Sequence, residues 1–447
     1  MSSSIVNLVY LFAGVLFILG IKGLTKPATA VRGNMLSATG MLIAVVITLL
    51  NSEIVNFTYI IAGVLFGGVV GAFMALRIQM TSMPQMVALL NGFGGGASLT
   101  IASAEYFSVL NIDAHTFADL LQPVALGVDA FGTGAESQVT LVSIGLTILI
   151  GAVTLTGSLV AFAKLQGLVK KNFGLPGGPI GNGLLLVGGL VALGCMIANP
   201  SQAVTVLALI ALALLLGLFL VLPIGGADMP VVIALLNSYS GLAAALAGFI
   251  LGNTVLIVAG SLVGTSGLIL TKIMCVAMNR SLGNVLFGKM AAAGEAVDAD
   301  EIYAGKVTSA QPDEVAMMLE VAKRVVIVPG YGMAMAQAQH AVRELADSME
   351  SKGIEVEYGI HPVAGRMPGH MNVLLAEAEV PYDNLVEMDR INPTFEDTDV
   401  VIVIGANDVT NPMARDAEGS PIYGMPILNV DKAKNVVVIK RSLSPGF

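Results

Sequence analysis

Nine runs of roughly twenty apolar residues follow one another through the first 275 positions, and they leave that part of the chain few options. They read as 4–22, 35–51, 55–76, 84–104, 138–163, 181–198, 202–222, 229–250 and 253–275. Each is close to the length of α-helix that crosses the hydrocarbon core of a bilayer. In lipid every backbone amide has to be satisfied within the segment, so helices are expected throughout. Only seven of the 31 carboxylates fall here: Glu53, Glu105, Asp113, Asp119, Asp129, Glu136 and Asp228. The other carboxylates lie beyond residue 275, so two physical classes of sequence share one chain. The expected division is a transmembrane domain over 1–275, a linker over 276–320 and an α/β domain over 321–447.

Charge sets the orientation. Before Lys272 the only cations are Lys22, Lys26, Arg32, Arg77, Lys164, Lys170 and Lys171, all in the loops after spans one, three and five. The loops after spans two, four, six and eight have none. By the positive-inside rule the N-terminus is outside and everything after span nine is cytoplasmic. No small-residue cleavage site follows the first run, which reads as a span that stays. Charged residues make up 12% of the chain and the net charge is −9, which argues for a lipid bilayer and against nucleic acid as a partner. Cys195 and Cys275 are far apart in apolar runs and suggest no disulfide framework.

The membrane part contains a repeat. Met83-Pro84-Gln85-Met86-Val87-Ala88-Leu89-Leu90-Asn91-Gly92-Phe93-Gly94-Gly95 matches Met229-Pro230-Val231-Val232-Ile233-Ala234-Leu235-Leu236-Asn237-Ser238-Tyr239-Ser240-Gly241. Both copies open a span on the same side, which puts Asn91 and Asn237 at equivalent depth about two turns in. Two readings of these asparagines stand side by side, a wet path through the bundle and hydrogen-bonding glue between helices. No histidine lies in a span. Asp228 is the only carboxylate at the cytoplasmic end of one, where it can also serve as a plain helix cap. Hydroxyls at Ser238, Tyr239, Ser240, Thr265, Ser266, Thr154 and Thr156 could line a water-filled route.

Beyond the linker, strands at 324–329, 354–360, 384–388, 400–404, 426–430 and 435–440 alternate with helices at 333–351 and 369–378. Pro312-Asp313-Glu314 reads as a helix start ahead of them. Alternation of this kind predicts a parallel doubly wound sheet. Val325-Val326-Ile327-Val328-Pro329 runs into Gly330-Tyr331-Gly332 and then Met333-Ala334-Met335-Ala336, a strand–glycine–helix turn able to cradle a pyrophosphate. Such a turn can also be no more than a tight strand–helix connection. Ligands in these sheets sit beyond the carboxyl ends of the strands, here also occupied by His361-Pro362-Val363-Ala364-Gly365-Arg366, Gly405-Ala406-Asn407-Asp408 and Lys440-Arg441-Ser442. An NAD site usually places an acid at the end of the second strand, and this chain has His361 there. Two cations and a hydroxyl at 440–442 suit a 2′-phosphate, against the plainer reading of a solvated strand end. No metal-ligand cluster and no catalytic acid–base set stands out.

Stretches in both domains carry a closer resemblance. They are Gly225-Gly226-Ala227-Asp228-Met229-Pro230-Val231-Val232, Leu236-Asn237-Ser238-Tyr239-Ser240-Gly241, Met278-Asn279-Arg280-Ser281, Pro329-Gly330-Tyr331-Gly332-Met333-Ala334, Gly359-Ile360-His361-Pro362-Val363-Ala364-Gly365-Arg366, Met371-Asn372-Val373-Leu374-Leu375-Ala376-Glu377-Ala378, Val380-Pro381-Tyr382-Asp383 and Val403-Ile404-Gly405-Ala406-Asn407-Asp408. With these the chain resembles the β subunit of proton-translocating NAD(P) transhydrogenases over essentially its whole length. The resemblance implies a polytopic α-helical membrane domain followed by a cytoplasmic Rossmann-like domain that binds NADP(H). It further implies a separate α subunit that holds NAD(H) and adds further spans, direct hydride exchange coupled to inward proton movement, and a dimer of αβ units in the inner membrane.

Carried over by position, Gly330 to Ala336 form the pyrophosphate turn. Val363, Ala364, Gly365, Arg366, Met367, Tyr382, Asp383, Gly405, Ala406, Asn407 and Asp408 line the nucleotide, and Lys440, Arg441 and Ser442 hold its 2′-phosphate. Asp228, Asn237, Ser240, Thr265 and Ser266 belong to the proton path or its gate. Asn91 joins them, at a place where many members have a proton-handling histidine. The family extends past Pro445-Gly446-Phe447 with a segment expected to complete the cover of the NADP site. The competing architecture is a secondary transporter with a regulatory nucleotide-binding domain, which should carry a charged substrate site near the midplane; none is visible in the spans.

Overall fold

The computed structural model describes residues 3–24, 27–51, 57–109, 135–169, 178–287, 307–417, 420 and 422–441. Lys26, Glu53, Asp113, Asp119, Asp129, Lys170, Lys171 and Ser442 lie outside these. Two compact units result, residues 1–224 with 232–270, and 225–231 with 271–447.

Nine helices among the described residues are long and apolar enough to cross a membrane. They are α1 Ser3–Leu24, α2 Pro27–Asn51, α3 Phe57–Arg77, α4 Met83–Val109, α5 Ala135–Leu165, α6 Pro179–Ala198, α7 Ala203–Val221, α8 Met229–Ile250 and α9 Thr254–Ala277. All nine apolar runs are therefore helices. The second starts earlier than hydropathy alone suggests, because Pro27 is favoured in a first turn and Gly33 lets α2 close on Gly23 of α1.

The repeat is visible in the packing. α4 and α8 each open on their Met-Pro pair after a single 3₁₀ turn, Met80–Ser82 and Gly226–Asp228. The two copies touch at matching positions, since a Cβ on Gly94 would lie 2.7 Å from Ser240 Oγ. In the first copy Gly95 faces Gly151 of α5, and in the second the matching Gly241 faces Gly260 and Gly264 of α9. One glycine per copy is thus where the helix closes on the next span, as small residues do between membrane helices. Ile144, Ile148, Met196, Leu209 and Ala213 form the dense centre of this unit. None of the residues of α3 is buried.

In the second unit, the short helix α10 Leu282–Phe287 and α11 Pro312–Glu320 precede the sheet. α11 begins with a reciprocal capping box between Gln311 and Glu314. The strands are β1 Arg324–Pro329, β2 Glu355–Ile360, β3 Leu385–Glu387, β4 Val400–Ile404 and β5 Asn435–Ile439. They form one sheet in the order β3-β2-β1-β4-β5, with every pairing parallel. Val325 to Val328 are all buried, which explains why β1 reads as an unbroken apolar run. The chain leaves β1 for β2 and β3 on one side and returns to β4 and β5 on the other. The direction of winding therefore reverses between β1 and β4, the usual place for a ligand crevice.

Two expectations are corrected. The helix foreseen at 333–351 is two, α12 Tyr331–Met335 and α13 Gln339–Ser351, because Gln337 takes a left-handed φ of 49° and the Ala338 amide returns to the Met333 carbonyl at 3.1 Å. The run at 426–430 is not a strand. Ile427 and Leu428 bury their side chains in the core, the Leu428 amide bonds the Val409 carbonyl at 2.8 Å, and a 3₁₀ turn follows over Val430–Lys432. An apolar run can satisfy its burial without joining a ladder. A further short helix, α14 His370–Glu377, lies within the span foreseen at 369–378.

Candidate functional site

A cavity of about 490 Å3 opens in the second unit at the carboxyl ends of β1, β2 and β4. It is lined by Gly330, Tyr331 and Gly332 after β1, by Val363 to Arg366 after β2, and by Gly405 to Val409 after β4. Eleven of the sequence-predicted nucleotide residues therefore meet at one place. Ligand pockets commonly span roughly 300–1,000 Å3, so the volume suits a nucleotide portion.

The glycines are demanded first by the fold. Gly405 has φ +65°, and any side chain there would collide with the Gly332–Met333 backbone. A Cβ on Gly330 or Gly332 would strike Gly405 in turn. The Gly330 amide donates to the Ile404 carbonyl at 2.9 Å and the Gly332 amide to the Gly405 carbonyl at 2.8 Å. Two strand ends are thereby clasped at the point where the winding reverses.

Charged groups line the cavity at Arg366, Asp408 and Arg280. Arg366 stacks over the Tyr331 ring with 4.4 Å from Cζ to centroid. Lys440, which follows β5 and does not itself line the cavity, donates to Asn407 Oδ1, and Asn407 Nδ2 donates to Asp408 Oδ1 at 3.1 Å. Burial pushes the Asp408 carboxyl up to about 6, with Lys440 and the Asn407 amide opposing. Burial also lowers the Lys440 ammonium, which Asp408 partly restores. Arg441 is exposed. Gly226, Pro230, Met274, Met278 and Arg280 line the same cavity. Arg280 pairs with the buried Asp228 at 2.8 Å. Desolvation raises that carboxyl and Arg280 opposes it.

The remaining predicted residues stand elsewhere. Met333 and Ala334 are buried inside α12, while Met335 and Ala336 are exposed. Met367 follows the β2 loop without lining the cavity, and Tyr382 and Asp383 sit on a 3₁₀ turn before β3. In the first unit the buried Asn91 reaches from α4 toward the Ile233 carbonyl of α8 at 3.5 Å. Asn237 is half-buried, and Thr265 and Ser266 are exposed on α9. Met274, Met278 and Arg280 were not among the predicted site residues, since only the tertiary fold brings them to loops far along the chain.

Fold and site define a class of protein, a polytopic helical membrane chain that carries a parallel, Rossmann-like α/β domain with a cavity where the winding reverses. Comparison narrows the class. The model of the NAD(P) transhydrogenase beta subunit family matches residues 6–447. The NAD(P) transhydrogenase subunit beta of Rhodospirillum rubrum is 46% identical over 454 aligned positions, covering 100% of this chain and 93% of the relative. The same subunit from a named strain of that species, ATCC 11170, gives the same figures. The chain belongs to the NAD(P) transhydrogenase beta subunit family.

Proposed function

We propose that this chain binds NADP(H) in the cavity at the β1/β4 reversal and exchanges hydride with NAD(H) held by a separate α subunit, coupled to inward proton movement. The observation that carries the nucleotide choice is the end of β2. An NAD-type site needs a carboxylate there for the ribose hydroxyl. Here His361 fills that position, is buried, and is already engaged on both ring nitrogens. Lys440 and Arg441 supply cations for a 2′-phosphate, with Ser442 completing the set. The glycine turns at 330–332 and 405 bring backbone close, and Arg366 offers a planar donor fork already braced on Tyr331. Met333 to Ala336, Met367, Tyr382 and Asp383 support or flank the nucleotide in this reading. The bound nucleotide would supply the hydride chemistry, and this chain's residues bind, orient and shield it.

In the same reading residues 1–275 conduct protons, 276–320 link, and 321–447 hold the nucleotide. Asn91, Asp228, Asn237, Ser240, Thr265 and Ser266 belong to the proton path or its gate. Arg280 supports the coupling, because one side chain both holds Asp228 and walls the nucleotide cavity. The assembly would be a dimer of αβ units in the inner membrane, with the N-terminus outside and the nucleotide domain cytoplasmic. Exposure of Thr265, Ser266 and most of α3 suits a chain that meets further spans from a partner. The test is calorimetric titration of NADP(H) and NAD(H) into the purified protein and its Arg441→Ala variant. Loss of about 1.5–3 kcal/mol for NADP(H), with NAD(H) unchanged, is expected for a removed charge-assisted contact. Equal losses for both nucleotides would reject the assignment.

A further inference from the structure

Two buried histidines bracket the β2 loop. His361 and His370 are 1% and 0% exposed. His361 Nδ1 accepts the Val363 amide at 3.2 Å, and its Nε2 donates to the Pro426 carbonyl at 2.8 Å. His370 Nδ1 accepts the Arg366 amide at 3.1 Å. Both imidazoles therefore have to be neutral with the proton on Nε2, since a protonated Nδ1 would confront an amide N–H. Burial lowers both rings, His370 to about 4 with Arg366 adding to the effect, so the accepting form holds at neutral pH. Gly365 adopts φ +107°, and a Cβ there would lie 2.6 Å from the His370 Cβ, so the loop is seated directly on this ring. Neither histidine lines the cavity, although Val363 to Arg366 do.

We propose that His361 and His370 are positioning residues that clamp the Val363–Arg366 loop from its two ends and so preset the Arg366 guanidinium for a nucleotide phosphate. The clamp fixes the backbone of Arg366 through His370, while Tyr331 fixes its side chain. His361 adds a tie through Pro426 to the segment that supplies Ile422 and Met425 to the same cavity. Preorganised donors bind more tightly because less ordering is left for the ligand to impose. The proposal rests on the reading of this cavity as the NADP(H) site.

The test separates the two rings and the two readings. In the assembled αβ protein, His370→Phe keeps bulk and removes the acceptor. His370→Asn restores an acceptor close to the position of Nδ1. The phenylalanine variant should raise the KM for NADP(H) about tenfold, with a smaller change in kcat and no change in the KM for NAD(H). The asparagine variant should stay within about twofold of the parent. At His361, asparagine should keep the Val363 tie and glutamine the Pro426 tie. Hydrogen exchange of the 361–370 segment, measured without nucleotide, should speed up in His370→Phe and not in His370→Asn. This second readout stands even if the cavity takes another ligand. Unchanged exchange and KM in His370→Phe, or an asparagine variant as impaired as the phenylalanine one, would overturn the clamp. If exchange responds but NADP(H) does not bind the parent, the clamp survives and the functional reading falls.

Discussion

Asp408→Asn should make the nucleotide-free protein more stable, and increasingly so as pH rises. The Asp408 carboxyl is held at about 6 because burial disfavours its charge. In an unfolded chain an aspartate titrates near 3.9. A carboxyl raised on folding contributes stability that is complete below about pH 4 and is lost as pH climbs through about 6. Two pKa units correspond to roughly 2–3 kcal/mol at pH 8. Asparagine is a neutral near-isostere that keeps an oxygen for the Asn407 amide, so it should recover most of that amount. At pH 5 about half of the penalty has already developed, and the gain should shrink to about 1–2 kcal/mol. The Lys440 bond to Asn407 does not involve the substituted group and should persist. Hydrogen exchange of the β4 amides in the full chain, compared between parent and variant at pH 5 and pH 8, reads the difference locally. A variant no more stable than the parent at pH 8, or a gap that fails to widen between the two pH values, would show that Asp408 is not held charged in a desolvating site.

Other perturbations follow from the same geometry. Arg280→Ala strands the buried Asp228 carboxylate and should destabilise the second unit by about 3–5 kcal/mol; an added Asp228→Asn should recover part of it, as a double-mutant cycle by calorimetry would register. Asp228→Asn alone is expected to uncouple hydride transfer from proton movement while exchange between already bound nucleotides persists, measured in proteoliposomes with a pH-sensitive dye. Gly405→Ala forces a left-handed φ on alanine and a collision with the Gly332–Met333 backbone, and should destabilise by about 3 kcal/mol or more, visible as a lower unfolding temperature of the α/β domain. Asn91→Leu removes the reach to the Ile233 carbonyl and should abolish proton pumping while Asn91→His retains it; normal pumping by the leucine variant would leave Asn91 as packing alone.

Much of this protein was legible without coordinates. Burial in lipid obliges each apolar run to satisfy its own backbone, so length and hydropathy already specified nine helices, and the Met-Pro-anchored repeat pointed to matching helix starts at Met83 and Met229. The parallel sheet was equally readable, because Val-Val-Ile-Val runs that end in glycine have little other use than a strand buried on both faces. Local pattern failed where long-range partners decide. Ile427 and Leu428 look like a strand, yet the core accepts their side chains and Val409 accepts the Leu428 amide, so no ladder forms. Gly330 and Gly332 read as a phosphate turn, but only the tertiary structure shows that Gly405 requires them. His361 and His370 carry no distinctive spacing; their roles appear once the loop between them folds back onto both rings. Arg280 and Asp228 lie 52 positions apart, and nothing local says that they meet, because the pairing of buried charges is decided by which helix ends the fold brings together.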